Sequence, residues 1–175
     1  MDILVNNAAI PGPMGPVTDC SFEDWSRTLQ VNLNSAFLCS KEAVPFMRER
    51  GGGRIINISS AAGVQPFAGL GAYSVSKAGL IMLTRTLSAE LAPQITANCI
   101  LPGMVVTDVS RMKAGAEALG MTYEAFIKLQ VEAKHMNHLG RPTEASEVAN
   151  TVLFLASGHA GSITGAVVNH GGGWF

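Results

Sequence analysis

The stretch that decides the fold is residues 54–101, RIINISSAAGVQPFAGLGAYSVSKAGLIMLTRTLSAELAPQITANCIL. Its first six residues, 54–59, form an apolar, strand-like segment. A helix follows and is expected to end at about Leu91, because Pro93 cannot continue it. Residues 95–101 predict a further strand. Strands that are apolar on both faces and alternate with helices indicate a parallel sheet covered on both sides.

The rest of the chain continues this alternation of strands and helices. Residues 1–8 predict a short buried strand that runs into an Asn pair. Ser21 is the expected N-cap of a helix in two pieces that ends at about Arg50. Residues 143–147 are expected to begin a final helix, and residues 166–169 to form a last strand. The 175 residues are therefore expected to form a partial α/β domain, a fragment of a single domain.

Two residues of the long helix suggest acid/base chemistry. Tyr73 and Lys77 lie four apart and share one helix face, so the ammonium can stabilise an ionised phenol. Tyr ionises at about pH 10 when unperturbed, so without such a charge it is a poor base at neutral pH. Ser60, at the end of the preceding strand, could hold a carbonyl or alcohol oxygen near the phenol. Taken alone, the Tyr–Lys pair is more simply a solvated helix pair, and the neighbouring motifs favour the general base.

Six short motifs occur along the chain in a characteristic order and spacing. They are Asn6-Asn7-Ala8, Asn32 in Val31-Asn32-Leu33, Ser60, Tyr73-x-x-x-Lys77, Pro102-Gly103 with Thr107, and Ile163-Thr164-Gly165 with Gly172-Gly173. Together they resemble the short-chain dehydrogenase/reductase family. The resemblance covers nearly everything in residues 2–109 and 140–173.

The resemblance implies a Rossmann-type doubly wound parallel sheet and reversible hydride transfer between NAD or NADP and an alcohol or ketone. In that reading Tyr73 is the catalytic acid/base and Ser60 orients the substrate oxygen. Lys77 lowers the pKa of the tyrosine and binds the nicotinamide ribose. Asn32 anchors a water in the proton relay, and Asn34 is its rival, although the Val-Asn-Leu context favours Asn32.

The same resemblance implies which residues lie along the cofactor. Asn7 and Ala8 would lie along it, and Tyr73 and Lys77 would touch its nicotinamide end. The remaining implied contacts to the nicotinamide and phosphate end are Gly103, Val105 and Thr107. Ser59 is adjacent to Ser60, but the spacing to Tyr73 argues against a catalytic role, and a backbone-bonded hydroxyl is the preferred interpretation.

The chain departs from the family pattern in three places. Ala9 stands where the family usually has Gly, and Gly171 where an acidic residue usually precedes the paired glycines. More seriously, no strand, Gly-rich turn and helix that would receive a pyrophosphate occurs in the 175 residues. The expectation is an N-terminally truncated three-layer sandwich in which residues 3–5 form an exposed apolar edge. The residue that would distinguish NAD from NADP is missing with that segment.

The composition gives no indication of a nucleic-acid partner, a membrane span, a disulfide or a metal site. Hydrophobic residues make up 47% of the chain and charged residues 14%, with a net charge of −1 and no basic run, so nothing suggests nucleic acid as a partner. No stretch approaches the roughly 20 apolar residues that span a bilayer. The three cysteines lack metal or redox spacing, which favours a reduced cytoplasmic chain. His135 and His138 lack further ligands nearby, so no metal site is predicted.

Substrate identity and assembly are the least determined features. Residues 110–138 are predicted to form two helices that cover the substrate, with apolar side chains that favour an apolar or ring-bearing alcohol or equally a well-packed lid. By resemblance, the helices near residues 21–50 and 71–91 would join a homodimer or homotetramer. Two functions stay open: an oxidoreductase, or a non-catalytic fragment that acts by associating with full-length relatives.

Overall fold

A computed structural model describes residues 1–106, 113, 116–117, 120–132 and 138–173. Six strands and five helices have defined bounds in this part of the chain. The strands are β1 (Ile3–Asn6), β2 (Gly53–Ile58), β3 (Ile95–Pro102), β4 (Val105–Val106), β5 (Thr143–Glu144) and β6 (Val167–His170). The helices are α1 (Phe22–Leu29), α2 (Ser35–Glu49), α3 (Gly71–Leu91), α4 (Tyr123–Glu132) and α5 (Ala145–Ala156).

Four of these strands form one parallel sheet in the order β1-β2-β3-β6. β3 is buried along its whole length, as expected for a central strand with helices on both faces. A separate two-stranded parallel pair, β4 with β5, follows the carboxyl end of β3. The predicted parallel α/β sheet is confirmed. β2, β3 and β6 lie within one residue of the expected strands, whereas β1 is shorter than the predicted 1–8, and β4 and β5 were not predicted.

Two apolar clusters, one on each face, hold helices against the sheet. Ile55 of β2 packs with Met47 of α2 and Ile95 of β3. Its neighbour Ile56 points to the opposite face and packs with Ile100 and with Leu155 of α5. This alternation follows from the two-residue period of a strand. The result is a three-layer arrangement of helices, sheet and helix.

The first helical segment is built as the sequence predicts, in two pieces. Ser21 is the N-cap of α1, and its hydroxyl accepts from the backbone N–H of Asp24 at 3.0 Å. A π-helical turn, Gln30–Asn34, separates α1 from α2. Such turns widen a helix locally and occur frequently at functional sites. Here the turn contains Asn32.

The start of α5 is held by a capping box. Glu144 is its N-cap, and the Glu147 carboxylate accepts from the Glu144 N–H at 2.8 Å. Arg141 donates to both oxygens of the same carboxylate at 2.7 and 2.8 Å. The Arg141 guanidinium, followed by the Glu144 N–H, lowers the pKa of Glu147 to about 2. These contacts fix where α5 begins relative to β5.

β1 lies at the edge of the sheet among the residues that the structure describes. Ile3 and Val5 are 48% and 41% exposed, whereas Leu4 packs against the Ile55 cluster. The expected apolar edge is therefore present. The Asp2–Arg50 ion pair, at 3.3 Å, and Arg54, the register partner of Ile3, place charge beside its first residue.

Replacing Ile55 by Ala tests the position of the core. Ile55 is fully buried between α2 and the sheet, so Ile55→Ala should lower the free energy of unfolding by about 2 to 5 kcal/mol. Urea unfolding followed by circular dichroism measures the change. Leu139→Ala, at a side chain that is 66% exposed, is the control and should stay near the wild-type value. Equal losses in the two variants would contradict this packing.

Candidate active site

A cavity of about 720 Å³ opens at the carboxyl ends of the sheet strands, where parallel α/β folds usually bind ligands. Six of the residues predicted from the sequence line it, and they come from four separate segments of the chain. They are Asn7, Ser60, Tyr73, Lys77, Gly103 and Val105. The fold therefore brings most of the predicted site residues to one place.

Ser60 stands directly after β2 in extended backbone conformation. Its hydroxyl accepts from the backbone N–H of Ala62 at 3.2 Å, so the O–H hydrogen remains available to donate. The adjacent Ser59 is buried, and its hydroxyl donates to the Lys77 carbonyl at 2.8 Å. Ser59 thus has the backbone-bonded arrangement that the sequence suggested, and Ser60 presents the more accessible hydroxyl.

Lys77 is a buried cation at the cavity wall. Its side chain is only 2% exposed, and Nζ lies 5.7 Å from the centroid of the Tyr73 ring. Nζ also donates to the backbone carbonyl of Ile58 at 2.8 Å. Burial lowers the pKa of Lys77 to about 8, and nearby Cys99 opposes that shift weakly. At neutral pH Lys77 is therefore mostly protonated, and its charge lies close to the aromatic ring.

Asn32 does not line the cavity but links two parts of its wall. It is 1% exposed, and its Oδ1 accepts from the Ile10 N–H at 2.8 Å. Its Nδ2 donates to the Ile10 carbonyl at 2.9 Å and to Ser76 Oγ at 3.0 Å. Both amide hydrogens are therefore used within the protein. The rival Asn34 is exposed, and its amide bonds to Gln30 on the helix surface.

The predicted cofactor contacts divide into three groups. Asn7, Gly103 and Val105 line the cavity. Ala9 lines it in place of Ala8, so the residue that departs from the usual glycine is itself part of the wall. Thr107 falls outside the described residues, as do residues 110–112, 114–115, 118–119 and 133–137 of the predicted lid. The second helix predicted in that lid is present as α4.

One wall of the cavity, which was not predicted from the sequence, is formed by α5. Its contributing side chains follow helical spacing and are almost all apolar: Ala145, Val148, Ala149, Val152 and Leu153. That spacing was visible in the sequence, but it predicts core packing equally well. The cavity thus has a polar side from α3 and the strand ends, and an apolar side from α5.

Neither a metal cluster nor a membrane span is found in the described part of the chain. No group of three or more potential metal ligands occurs there. His135 lies outside the described residues, and the His138 backbone N–H donates to the Gly172 carbonyl. No described helix is long and apolar enough to cross a bilayer.

Comparison with known proteins identifies the family. A family model described as enoyl-(acyl carrier protein) reductase matches residues 1–174. Dehydrogenase/reductase SDR family member 4 of Homo sapiens is 40% identical over 174 residues, 99% of this chain and 59% of that protein. A short-chain type dehydrogenase/reductase of Picea abies is 41% identical, over 99% of this chain and 60% of that protein. The chain belongs to the short-chain dehydrogenase/reductase family. It spans about three fifths of the length of these relatives.

Solved structures of the family share this fold. A variant actinorhodin polyketide ketoreductase, solved with NADPH, matches with a TM-score of 0.89 and 33% identity, over 99% of this chain and 67% of that chain. NAD+-bound xylitol dehydrogenase matches with a TM-score of 0.87 and 28% identity, over 99% of this chain and 68% of that chain. The predicted Rossmann-like α/β fold is confirmed. The expectation that a Gly-rich turn is missing stays a prediction.

In this short-chain dehydrogenase/reductase chain, the buried Lys77 predicts a specific pH dependence of stability. Folded Lys77 loses its proton near pH 8, whereas the unfolded chain keeps it up to about pH 10.5. Between these values the unfolded state binds more protons, so stability contributed by Lys77 rises with pH. Between about pH 8 and pH 10.5, the contribution of Lys77 to the free energy of unfolding should rise by up to about 3 kcal/mol.

Urea unfolding of the wild type and of Lys77→Met at pH 8 and pH 10.5 measures this gain. The free energy of unfolding of the wild type should increase relative to that of Lys77→Met as the pH rises. Subtracting the variant largely removes the contribution of Cys99, whose pKa burial raises to about 11 and which acts in the opposite direction. Lys41→Met, at an exposed lysine of α2, is the control. If the difference in unfolding free energy between wild type and Lys77→Met changes with pH as little as the difference for Lys41→Met, the lowered pKa of buried Lys77 is contradicted.

Proposed function

We propose that this chain carries the catalytic part of an NAD- or NADP-dependent oxidoreductase that interconverts an alcohol and a carbonyl compound. The observation that carries the proposal is the convergence of Ser60, Tyr73 and Lys77 on one cavity at the carboxyl end of a parallel sheet. In support, relatives of similar fold have been solved with NADPH and with NAD+. We propose no preference between the two cofactors.

The chemistry assigned to the chain's own residues is proton transfer and substrate orientation. The Ser60 hydroxyl donates to the substrate oxygen and holds it beside the Tyr73 phenol. Tyr73 takes the proton from an alcohol, or returns it to a forming alkoxide, at its phenolic oxygen. The Lys77 ammonium favours the phenolate by its charge. A nicotinamide cofactor held in this cavity would supply the hydride for carbonyl reduction or take it up in alcohol oxidation.

The cavity suits the nicotinamide end of such a cofactor. Among the described contacts, Lys77 uses one of its three N–H donors on Ile58, which leaves donors for ribose hydroxyls. Gly103 lies close to the backbone after β6, since a Cβ there would lie only 3.0 Å from the Gly171 Cα. We expect Asn7, Ala8, Val105 and Thr107 to complete this contact surface.

Asn32 is assigned to the proton relay through its backbone. Its amide hydrogens are used by Ile10 and Ser76, so the side chain can donate nothing to a relay water. The π-helical turn around Asn32 makes its carbonyl the more suitable anchor. The side chain then serves to hold the Ile10 segment against α3.

We further propose that the pyrophosphate-binding turn is contributed from outside these 175 residues. The 175-residue chain should therefore bind NADH and NADPH weakly or not at all. We also place the protein in a reducing, cytoplasmic compartment, because Cys20, Cys39 and Cys99 are free thiols. Nothing in its charge favours nucleic acid as a partner.

The alternative function is a non-catalytic subunit that associates with full-length relatives. Exposed apolar side chains on the outer faces of α2 and α3 favour an association surface in either case. They are Phe37, Leu38, Phe46, Val75 and Met82. A homodimer or homotetramer through these helices is the arrangement we propose.

The acid/base assignment can be tested by titrating one phenol. The chain has two tyrosines, so Tyr123→Phe leaves Tyr73 as the only phenol. Its ultraviolet phenolate absorbance should show ionisation below the ordinary value of about pH 10. At or below about pH 8, where Lys77 still carries most of its proton, Lys77→Met should reduce the phenolate absorbance, because the stabilising charge is gone. If Lys77→Met leaves the ionisation of Tyr73 unchanged, the acid/base assignment is contradicted. Lys41→Met is the matched control.

Calorimetric titration with NADH and NADPH separates the two functions. The 175-residue chain should not bind NADH or NADPH with micromolar affinity. Such binding would overturn the proposal that a further segment is needed to bind the cofactor. If the chain joined to a Gly-rich segment of a relative binds NADPH or NADH and reduces a ketone, Tyr73→Phe should abolish turnover while preserving binding. Cofactor binding without Tyr73-dependent turnover would favour the non-catalytic alternative.

Light scattering after size-exclusion chromatography tests the association surface. The wild-type chain should form dimers or tetramers, and Met82→Glu should shift them toward monomers by placing a charge in the apolar contact. Leu139→Glu, at an exposed apolar residue away from α2 and α3, should leave the mass unchanged. A monomeric wild type would count against assembly through these helices.

A further inference from the structure

Ser76, to which the proposed mechanism gives no role, lies one residue before Lys77 on α3. It is fully buried and does not line the cavity. Its hydroxyl donates to the Tyr73 carbonyl, one turn earlier in the same helix, at 2.6 Å. The same oxygen accepts from Asn32 Nδ2 at 3.0 Å. Ser76 therefore joins the helical turn that carries Tyr73 to a side chain from a different element.

Asn32 continues this connection to the segment that follows β1. Its Oδ1 accepts from the Ile10 N–H at 2.8 Å, and its Nδ2 donates to the Ile10 carbonyl at 2.9 Å. Asn7 and Ala9, which line the cavity, come just before Ile10 in the chain. An unbroken path of hydrogen bonds thus runs from one wall of the cavity to the helix that carries Tyr73.

The Ser76 hydroxyl fixes the rotation of the Asn32 amide. A side-chain amide has two N–H hydrogens, and here one is given to Ile10 and the other to Ser76. Asn32 is 1% exposed, so removing the Ser76 hydroxyl would leave one of these hydrogens buried without its acceptor, which is costly. Turning the amide toward another acceptor would weaken its bonds to Ile10, because hydrogen bonds tolerate only a narrow range of distance and angle. Ser76 therefore stabilises the contact between Asn32 and Ile10 without touching Ile10.

This path relates two parts of the structure that helix geometry does not hold together. Residues 7–10 follow β1, whereas Tyr73 lies on α3, so their separation depends on contacts between elements. Leu33 packs closely at Gly79, where an added Cβ would lie 2.8 Å from the Leu33 Cδ2, and this packing holds the π-helical turn against α3. The hydrogen bonds through Asn32 extend that attachment to residues 7–10.

We propose that Ser76 is a positioning residue that acts through Asn32 to hold residues 7–10 in a fixed place relative to Tyr73. The inference rests on the proposed function, in which Asn7 lies along the nicotinamide cofactor and Tyr73 transfers the proton. Proton and hydride are exchanged with neighbouring atoms of one substrate. The cofactor wall and the phenol must therefore keep their relative positions, and a small displacement of either is expected to slow the reaction.

Amide hydrogen exchange in the 175-residue chain measures how firmly Ile10 is held. The reference is Cys99, whose N–H donates to the Ala166 carbonyl at 2.9 Å in the sheet, because its exchange reports on the stability of the core. Ser76→Ala removes the hydroxyl and should speed exchange of the Ile10 N–H about tenfold relative to that of Cys99. Ser76→Thr keeps a hydroxyl and should restore most of the protection. If Ser76→Ala does not fold, Ser76→Cys, with its weakly bonding thiol, takes its place with the same expected direction.

Ser88→Ala is the matched control. Ser88 lies on the same helix and makes the same kind of bond, from its hydroxyl to the carbonyl of Arg85 three residues earlier, at 2.8 Å. This substitution should leave the ratio of Ile10 to Cys99 exchange at the wild-type value. An effect of Ser76→Ala beyond that of Ser88→Ala is therefore not a general consequence of removing a serine from α3.

Kinetics of the chain joined to a Gly-rich segment of a relative test the role of this contact in the reaction. Ser76→Ala should raise the KM for NADPH or NADH about fivefold or more, with a smaller change in the KM for the ketone. The reason is that the residues proposed to lie along the cofactor are held less firmly, whereas the apolar wall formed by α5 is unchanged. Ser88→Ala should leave both values unchanged.

The outcomes distinguish this inference from the proposed function. If Ser76→Ala changes the exchange ratio no more than Ser88→Ala, Ser76 does not hold residues 7–10 and the inference is overturned, while the acid/base proposal still stands on the Lys77→Met titration. Faster Ile10 exchange with an unchanged cofactor KM would also overturn it, since residues 7–10 would then not serve the cofactor. If the joined wild-type enzyme has no turnover that depends on Tyr73, the proposed function itself is wrong, and the inference falls with it.

Discussion

The hydrogen bond from the Lys77 ammonium to the Ile58 carbonyl is the interaction on which the site depends. It lies at the cavity wall, and the side chain that makes it is almost wholly buried. A buried charge is costly unless it is paired or hydrogen-bonded, so the carbonyl at the end of β2 stabilises the ammonium where water cannot. That requirement couples the strand, the long helix and the reacting residues into one arrangement.

The rest of the polar structure on this face supports the same arrangement. Asn32 ties the segment after β1 to α3 through Ile10 and Ser76, and Asn57 ties β1 and β2 to α3 through Thr84. The opposite wall of the cavity is formed by the apolar side of α5. The cavity therefore has Ser60, Tyr73 and Lys77 on one wall and an apolar surface on the other.

The site was predictable where chemistry and strand topology coincide. Asn7, Ser60 and Gly103 follow three different strands, and the carboxyl ends of parallel strands share one edge of a sheet, so their convergence followed from the strand assignment. Ala9 and the α5 wall were not predicted. An apolar helical stripe looks the same in sequence whether it faces packed side chains or a cavity, and the choice between Ala8 and Ala9 depends on a backbone turn that composition does not encode.

The sequence by itself determined the order of strands and helices, the parallel α/β class and the family, because these depend on local apolar periodicity and on motifs a few residues long. It also located Tyr73 and Lys77 on one helix face, since that follows from helical geometry alone. Only the tertiary structure decided that Lys77 is buried with a lowered pKa. It also decided that the Asn32 amide donates to Ile10 and Ser76, and that the Asn57 amide donates to Thr84. Each of these depends on contacts between residues far apart in the chain, and long-range packing sets both their burial and their partners.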